Sequence, residues 1–156
     1  MKENFKKRYI IYLIIVIALL ALPFRSDSID LNMQKVEKNL GTTVNSEYVK
    51  KGHKSDLRKF YHMHFEDVDD FILYIPATTM RVNEVAVFKA KKGKEDLVLK
   101  AATDRRDFQR KVFEGYGPKQ CKQLDNSILE KKGQYVIFVT GEDSKDLYKA
   151  IEKGAK

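Results

Sequence analysis

Residues 134–140 read Gln-Tyr-Val-Ile-Phe-Val-Thr, and this run decides the fold class. It is short, rich in β-branched and aromatic residues, and closed by Gly141, so it is expected to be a buried strand. Just upstream, residues 127–130 form a weaker strand that turns at Lys132-Gly133. Downstream, Asp143 stands where a cap is needed, and Leu147, Ala150 and Ile151 recur at helical spacing. The same theme appears earlier in the chain. Residues 71–75 are an apolar run ended by Pro76, and residues 83–89 read Asn-Glu-Val-Ala-Val-Phe-Lys, with residues 77–81 closing a loose hairpin between them. A long helix over 94–114 separates the two strand pairs. Leu97, Ala101, Phe108 and Val112 line one of its faces, and Gly115 stops it.

Before the strands lie two more helical segments. Ile29, Met33, Val36 and Leu40 share a stripe, with Ser26-Asp27-Ser28 as the start signal and Gly41 as the stop. Ser55-Asp56 caps a shorter helix with Leu57, Phe60 and Tyr61 turned inward. Residues 42–52 read as an irregular connection, and Glu66-Asp67-Val68-Asp69-Asp70 as a solvated acidic turn. The order is ααββαββα. Short links between paired strands make this an α+β fold, a small, mainly antiparallel sheet packed with helices.

Ahead of this domain, Lys6-Lys7-Arg8 precede an unbroken apolar run from Tyr9 to Leu22, followed by Pro23 and Phe24. The run is short for a spanning helix, which needs about 20 residues. A signal-peptide core has a similar length, but no pair of small residues marks a cleavage site, and no cysteine follows for lipid attachment. An uncleaved transmembrane signal anchor is therefore expected over 9–24. Three basic residues before it outweigh Arg25 after it, which keeps residues 1–8 in the cytoplasm as a basic tail. Residues 25–52 then form a membrane-proximal helix and linker, and 53–156 an extracytoplasmic domain at the cell membrane.

The chain has 156 residues and a formal net charge of +8. Lys2, Lys6, Lys7, Arg8 and Arg25 against Glu3 and Asp27 leave +3 at the N-terminus. The remaining +5 is scattered, with Lys50-Lys51, Lys91-Lys92 and Lys131-Lys132 expected in solvated turns. Without a clustered basic face or a binding motif, nucleic acid is not an expected partner. The expected partners are the membrane, an envelope protein or an anionic wall polymer. The single cysteine, Cys121, excludes an intrachain disulfide and reads as a small buried hydrophobe.

Several residues are candidates for chemistry. Glu84 sits in a strand that is apolar on both sides, and Arg105 lies at the edge of the long helix's apolar stripe. A charge on a buried face needs a partner, so Glu84 is expected to pair with Arg105 or Arg106, with Gln109 one turn on. This pair could fix helix to sheet or form a binding cleft. Tyr116 and Gln120 flank Gly117-Pro118 after the helix, where Gly115 and Gly117 permit left-handed backbone. His62 and His64, with Glu66, share one side of an extended segment and are the best candidates for a metal. Surface histidines are the simpler reading, and no cofactor is expected.

Several of these pieces occur together. Residues 83–89, an arginine at 105 or 106, Tyr116-Gly117-Pro118-Lys119-Gln120 and Gly133-Gln134-Tyr135-Val136 follow one another in an order that resembles the bacterial family catalogued as domain of unknown function 4358. The resemblance spans roughly residues 36–153. It implies an exported or membrane-anchored envelope protein, and many members look like lipoproteins. This chain lacks the lipid-acceptor cysteine. No enzymatic role comes with the family, although gene proximity to membrane O-acyltransferases suggests an accessory role in envelope polysaccharide acylation. The leading expectation is a membrane-tethered, non-catalytic interaction or accessory domain of the cell envelope. The alternative is an envelope enzyme or metal-dependent binder built on His62, His64 and the nearby carboxylates.

Overall fold

Strand residues alternate between two faces, and here both faces are covered. The computed structural model describes residues 11–12 and 28–155. Five strands form one sheet in the order β1-β2-β3-β5-β4, with every neighbouring pair antiparallel. They are β1 (Val49–Lys51), β2 (Val68–Pro76), β3 (Glu84–Ala90), β4 (Ile128–Lys132) and β5 (Tyr135–Thr140). One face carries Ile72, Tyr74, Val85, Val87, Ile137 and Val139 against the helices α1 (Met33–Thr43) and α5 (Ser144–Glu152). The other carries Leu73, Ile75, Ala86, Phe88, Val136 and Phe138 against α2 (Lys54–Tyr61) and α3 (Glu95–Phe113). Two-sided burial explains why β5 reads as a continuous apolar run instead of alternating. A small third cluster, Val82, Phe113 and Leu124 with Cys121 against it, seats α4 (Pro118–Asp125).

The α+β class and the antiparallel sheet are as expected, but the order of elements is not ααββαββα. A strand and a helix are added, besides a 3₁₀ turn at Phe65–Asp67. Part of the connection expected to be irregular pairs with β2 as β1, where Val49 lies opposite Pro76 and Lys51 opposite Tyr74. Three residues are too few for a periodicity, so only the partner strand reveals β1. Beyond Gly117, the expected turn continues as α4, with Pro118 at its first position, where a missing N–H costs nothing. The expected membrane helix over 9–24 lies outside the described residues except for Ile11 and Tyr12, which are helical. Among the described residues, no helix is long and apolar enough to cross a membrane.

Local signals shift in similar ways. The cap of α1 is Asn32, whose Oδ1 accepts from Lys35 N at 3.0 Å, and the helix runs through Gly41 to Thr43. Ser26 and Asp27 lie outside the described residues. In α2, Asp56 reaches back to accept from His53 N at 2.8 Å, so His53 is the cap residue. The acidic stretch is not wholly solvated. Asp67 is buried at the end of a 3₁₀ turn (Phe65–Asp67), accepts from His64 N at 3.0 Å and faces Lys94 at 3.4 Å. Asp69 and Asp70 are exposed and belong to β2.

Helix α3 is rotated from its expected setting. Its buried stripe is Val98, Ala102, Arg105, Gln109 and Phe113. Leu97, Phe108 and Val112 are 42%, 63% and 43% exposed. Gly115 does adopt a left-handed φ of 86° at the helix end. Gly117 does not. A Cβ there would stand 2.7 Å from Phe113 Cδ1, so its value is the missing side chain.

The two ends of the described domain meet. Leu31 bridges Ala155, and Asn32 N donates to Gly154 O at 2.9 Å. Any Cβ on Gly154 would overlap Val36 Cγ2 and stand 3.3 Å from Val36 Cα. Lys131 and Lys132 lie in β4, not in a turn. Lys132 Nζ donates to Tyr148 Oη at 2.6 Å, and Tyr148 Oη donates to Glu130 at 2.6 Å, tying the β4 edge to α5.

Two outcomes follow from these contacts. Gly154→Ala should destabilise the protein by roughly 1–3 kcal/mol through overpacking, read as a lower denaturant midpoint with an unchanged slope. An unchanged midpoint would mean that the α1–α5 contact is loose. The Tyr148 hydroxyl, aided by Lys132, holds the Glu130 carboxyl below its ordinary value of 4.5, although burial opposes this. A depressed carboxylate contributes stability above its unfolded value and loses it as pH falls through the folded one. The stability gap between the protein and Glu130→Gln should therefore be full near neutrality and close below pH 4.5, as followed by denaturant melts across pH.

Candidate functional site

Side chains at even positions of β3 point to the α2–α3 face, which puts Glu84 in line with Ala86 and Phe88. Glu84 is fully buried at the first position of the strand. Taking a carboxylate out of water is tolerable only with charge compensation and hydrogen bonds. Three donors supply them. Arg105 Nη2 donates to Oε2 at 2.9 Å, and its Nε is 3.2 Å from the same oxygen. Gln109 Nε2 donates to Oε2 at 3.0 Å. Tyr61 Oη donates to Oε1 at 2.5 Å.

Arg105, not Arg106, is thus the partner of Glu84. Arg106 turns outward to Asp107 at 2.8 Å. Arg105 and Gln109 occupy one face of α3 because they are four residues apart. Tyr61 comes from the last turn of α2, and its ring meets Phe88 edge-on with centroids 5.0 Å apart. Burial and the neighbouring Glu84 push the Tyr61 hydroxyl well above its ordinary range, so it remains a donor. Sequence reasoning expected Tyr61 inside but missed its role. The available signal was that a buried tyrosine hydroxyl needs a partner.

A cleft of about 470 Å³ opens beside this network. Phe60, Ile75, Pro76, Phe108, Val112 and Phe113 make its apolar walls. Lys50, Lys59, Arg81 and Arg105 also line it, and no acidic residue does. Arg105 stacks over the Phe60 ring at 4.7 Å, and Arg81 over the Tyr48 ring at 4.2 Å. Gln109 lines the cleft as well, and its Oε1 is buried without a hydrogen-bond donor among the described residues. Apolar walls with a few placed polar groups, in a volume of this size, suit a small ligand.

The remaining candidates lie apart from the network. Tyr116 is exposed and packs on Phe113, with centroids 5.6 Å apart. Gln120 Nε2 donates to Met80 O at 3.1 Å, pinning α4 to the β2–β3 loop. His62 ends α2 in a left-handed conformation with φ 54°. His64 caps the 3₁₀ turn, and both histidines and Glu66 are exposed. The expected extended spacing is therefore broken by a helix end and a turn. Among the described residues, no group of three or more His, Cys, Asp or Glu could hold a metal. His62, His64 and Glu66, the candidate metal ligands, belong to no such group.

A family model described as a domain of unknown function (DUF4358) matches residues 42–141. The chain belongs to the DUF4358 family. The matched span of the DUF4358 domain contains all five strands together with Tyr61, Glu84, Arg105 and Gln109. No curated protein and no solved structure matches the chain.

If the three donors compensate Glu84, removing one charge must strand the other. Arg105→Met should cost roughly 3–5 kcal/mol. Adding Glu84→Gln to that variant should recover part of the loss, giving a coupling of about 0.5–3 kcal/mol in a double-mutant cycle. Additive losses in chemical denaturation would show that the pair is not energetically coupled.

Proposed function

We propose that the protein is a membrane-tethered, extracytoplasmic, non-catalytic interaction domain of the cell envelope. The observation that carries this reading is the uninterrupted apolar run behind Lys6-Lys7-Arg8, followed directly by a self-contained α+β domain. Tethering holds such a domain at high effective concentration near membrane partners. The non-catalytic part of the reading is supported by the state of Glu84. Its oxygens are engaged by Tyr61, Arg105 and Gln109, so it is poorly placed to accept a proton from a substrate.

The route of the chain is compatible with a tether. Ser28 enters beside Gly133, in the turn joining β4 to β5. The cleft lies at the other end of the sheet, where β2 ends and β3 begins. An anchor leading into Ser28 would leave the cleft facing away from the bilayer and open to envelope partners.

In cells, the full chain should sediment with membranes and resist alkaline extraction, and deletion of residues 1–25 should release folded, soluble protein. A C-terminal export-dependent reporter should be active. Reporter activity confined to the cytosol would refute the proposed topology.

A further inference from the structure

We infer that the cleft between α3 and the β2–β3 loop binds a small, water-soluble amphiphilic anion, with an anionic head on a hydrocarbon or aromatic body. The inference deepens the interaction-domain reading by naming a ligand class, and it rests on that reading only for where the ligand is met.

Charge is the first argument. Four cationic residues line the cleft and no acidic residue does. Arg105 is held by Glu84, but Lys50, Lys59 and Arg81 form no ion pair among the described residues. Arg81 does act on exposed Glu142, whose carboxyl is held below its ordinary range mainly by Lys119 and only weakly by Arg81. Lys50 and Lys59, with no carboxylate partner and no acidic residue in the cleft lining, give the cleft a positive excess that favours an anionic guest.

The apolar walls give the second argument. Phe108 and Val112 expose hydrocarbon at the mouth, because α3 turns its polar Arg105 and Gln109 inward toward Glu84. A purely ionic ligand would leave those walls wet, whereas an amphiphile covers them and reaches the cations together.

A bilayer surface is the less favoured guest. The cleft and the entry of the chain at Ser28 lie at opposite ends of the strands, so a domain standing on its anchor holds the cleft away from the lipid.

The test uses the full chain in nanodiscs of zwitterionic phosphatidylcholine, titrated with hexyl phosphate and, separately, with hexanol, and followed by calorimetry. Saturable one-to-one binding of hexyl phosphate is expected, with hexanol at least tenfold weaker. Lys59→Ala with Arg81→Ala should weaken hexyl phosphate at least tenfold, and Phe108→Ser should weaken it without altering the thermal midpoint. Equal binding of both probes, no saturation, or indifference to the lysine and arginine changes would overturn the inference. So would binding seen only when phosphatidic acid is placed in the disc, which would indicate a membrane surface. Because the tether is judged separately by fractionation and reporter activity, failure of this titration leaves the proposed topology standing.

Discussion

A carboxylate with no access to water sets the terms for the α2–α3 side of the sheet. Glu84 enters β3 on the face that also carries Ala86 and Phe88, and the chain must bring donors to it. The long helix does so by presenting Arg105 and Gln109 where an apolar stripe would otherwise lie, and the short helix does so with Tyr61. Buried ion pairs are weak evidence for net stability, because desolvation offsets much of the attraction. Their geometric demand is another matter. Two helices and a strand must meet at one point with hydrogen-bond precision.

That demand reaches the surface. Turning Arg105 and Gln109 inward leaves Phe108 and Val112 turned outward, beside a loop and a strand edge that carry Arg81 and Lys50. The cleft is thus a consequence of how the internal network orients α3. The opposite face of the sheet has no comparable constraint. There α1 and α5 meet through Val36, Leu40, Leu147 and Ile151, and through the close approach at Gly154. The α1–α5 side is held by hydrocarbon packing with hydrogen bonds at its margins, such as Asn39 Nδ2 to Ala150 O and Tyr148 to Glu130, and the α2–α3 side by packing around a buried ion pair.

Much of this was legible in the residues. The strands 83–89 and 134–140, the helix 94–114 and the final helix follow from period and punctuation, and the structure places β3, β5, α3 and α5 within a few residues of them. The need of Glu84 for Arg105 or Arg106, with Gln109 one turn on, could be read because a charge between apolar neighbours needs a partner, and the structure chose Arg105. The facing of α3 could not. Periodicity ranks residues by polarity, so it selected Leu97, Ala101, Phe108 and Val112 and turned the helix by about one residue, or roughly 100°. The histidine spacing carries no ligand geometry for a related reason: it gives a shared side only if the backbone stays extended, and His62 lies in a left-handed helix end.

The sequence by itself determined the α+β class, the antiparallel pairing of its longer strands and membership in the DUF4358 family, because local period, turn residues and motif order are written in neighbouring positions. It also determined that Glu84 would need a cation. Only the tertiary structure decided which face of α3 goes inside, that Tyr61 completes the network, and that Lys50, Lys59 and Arg81 share one cleft. Those outcomes depend on groups more than twenty residues apart meeting across the sheet, and burial there is set by the partner surface, which no local pattern encodes.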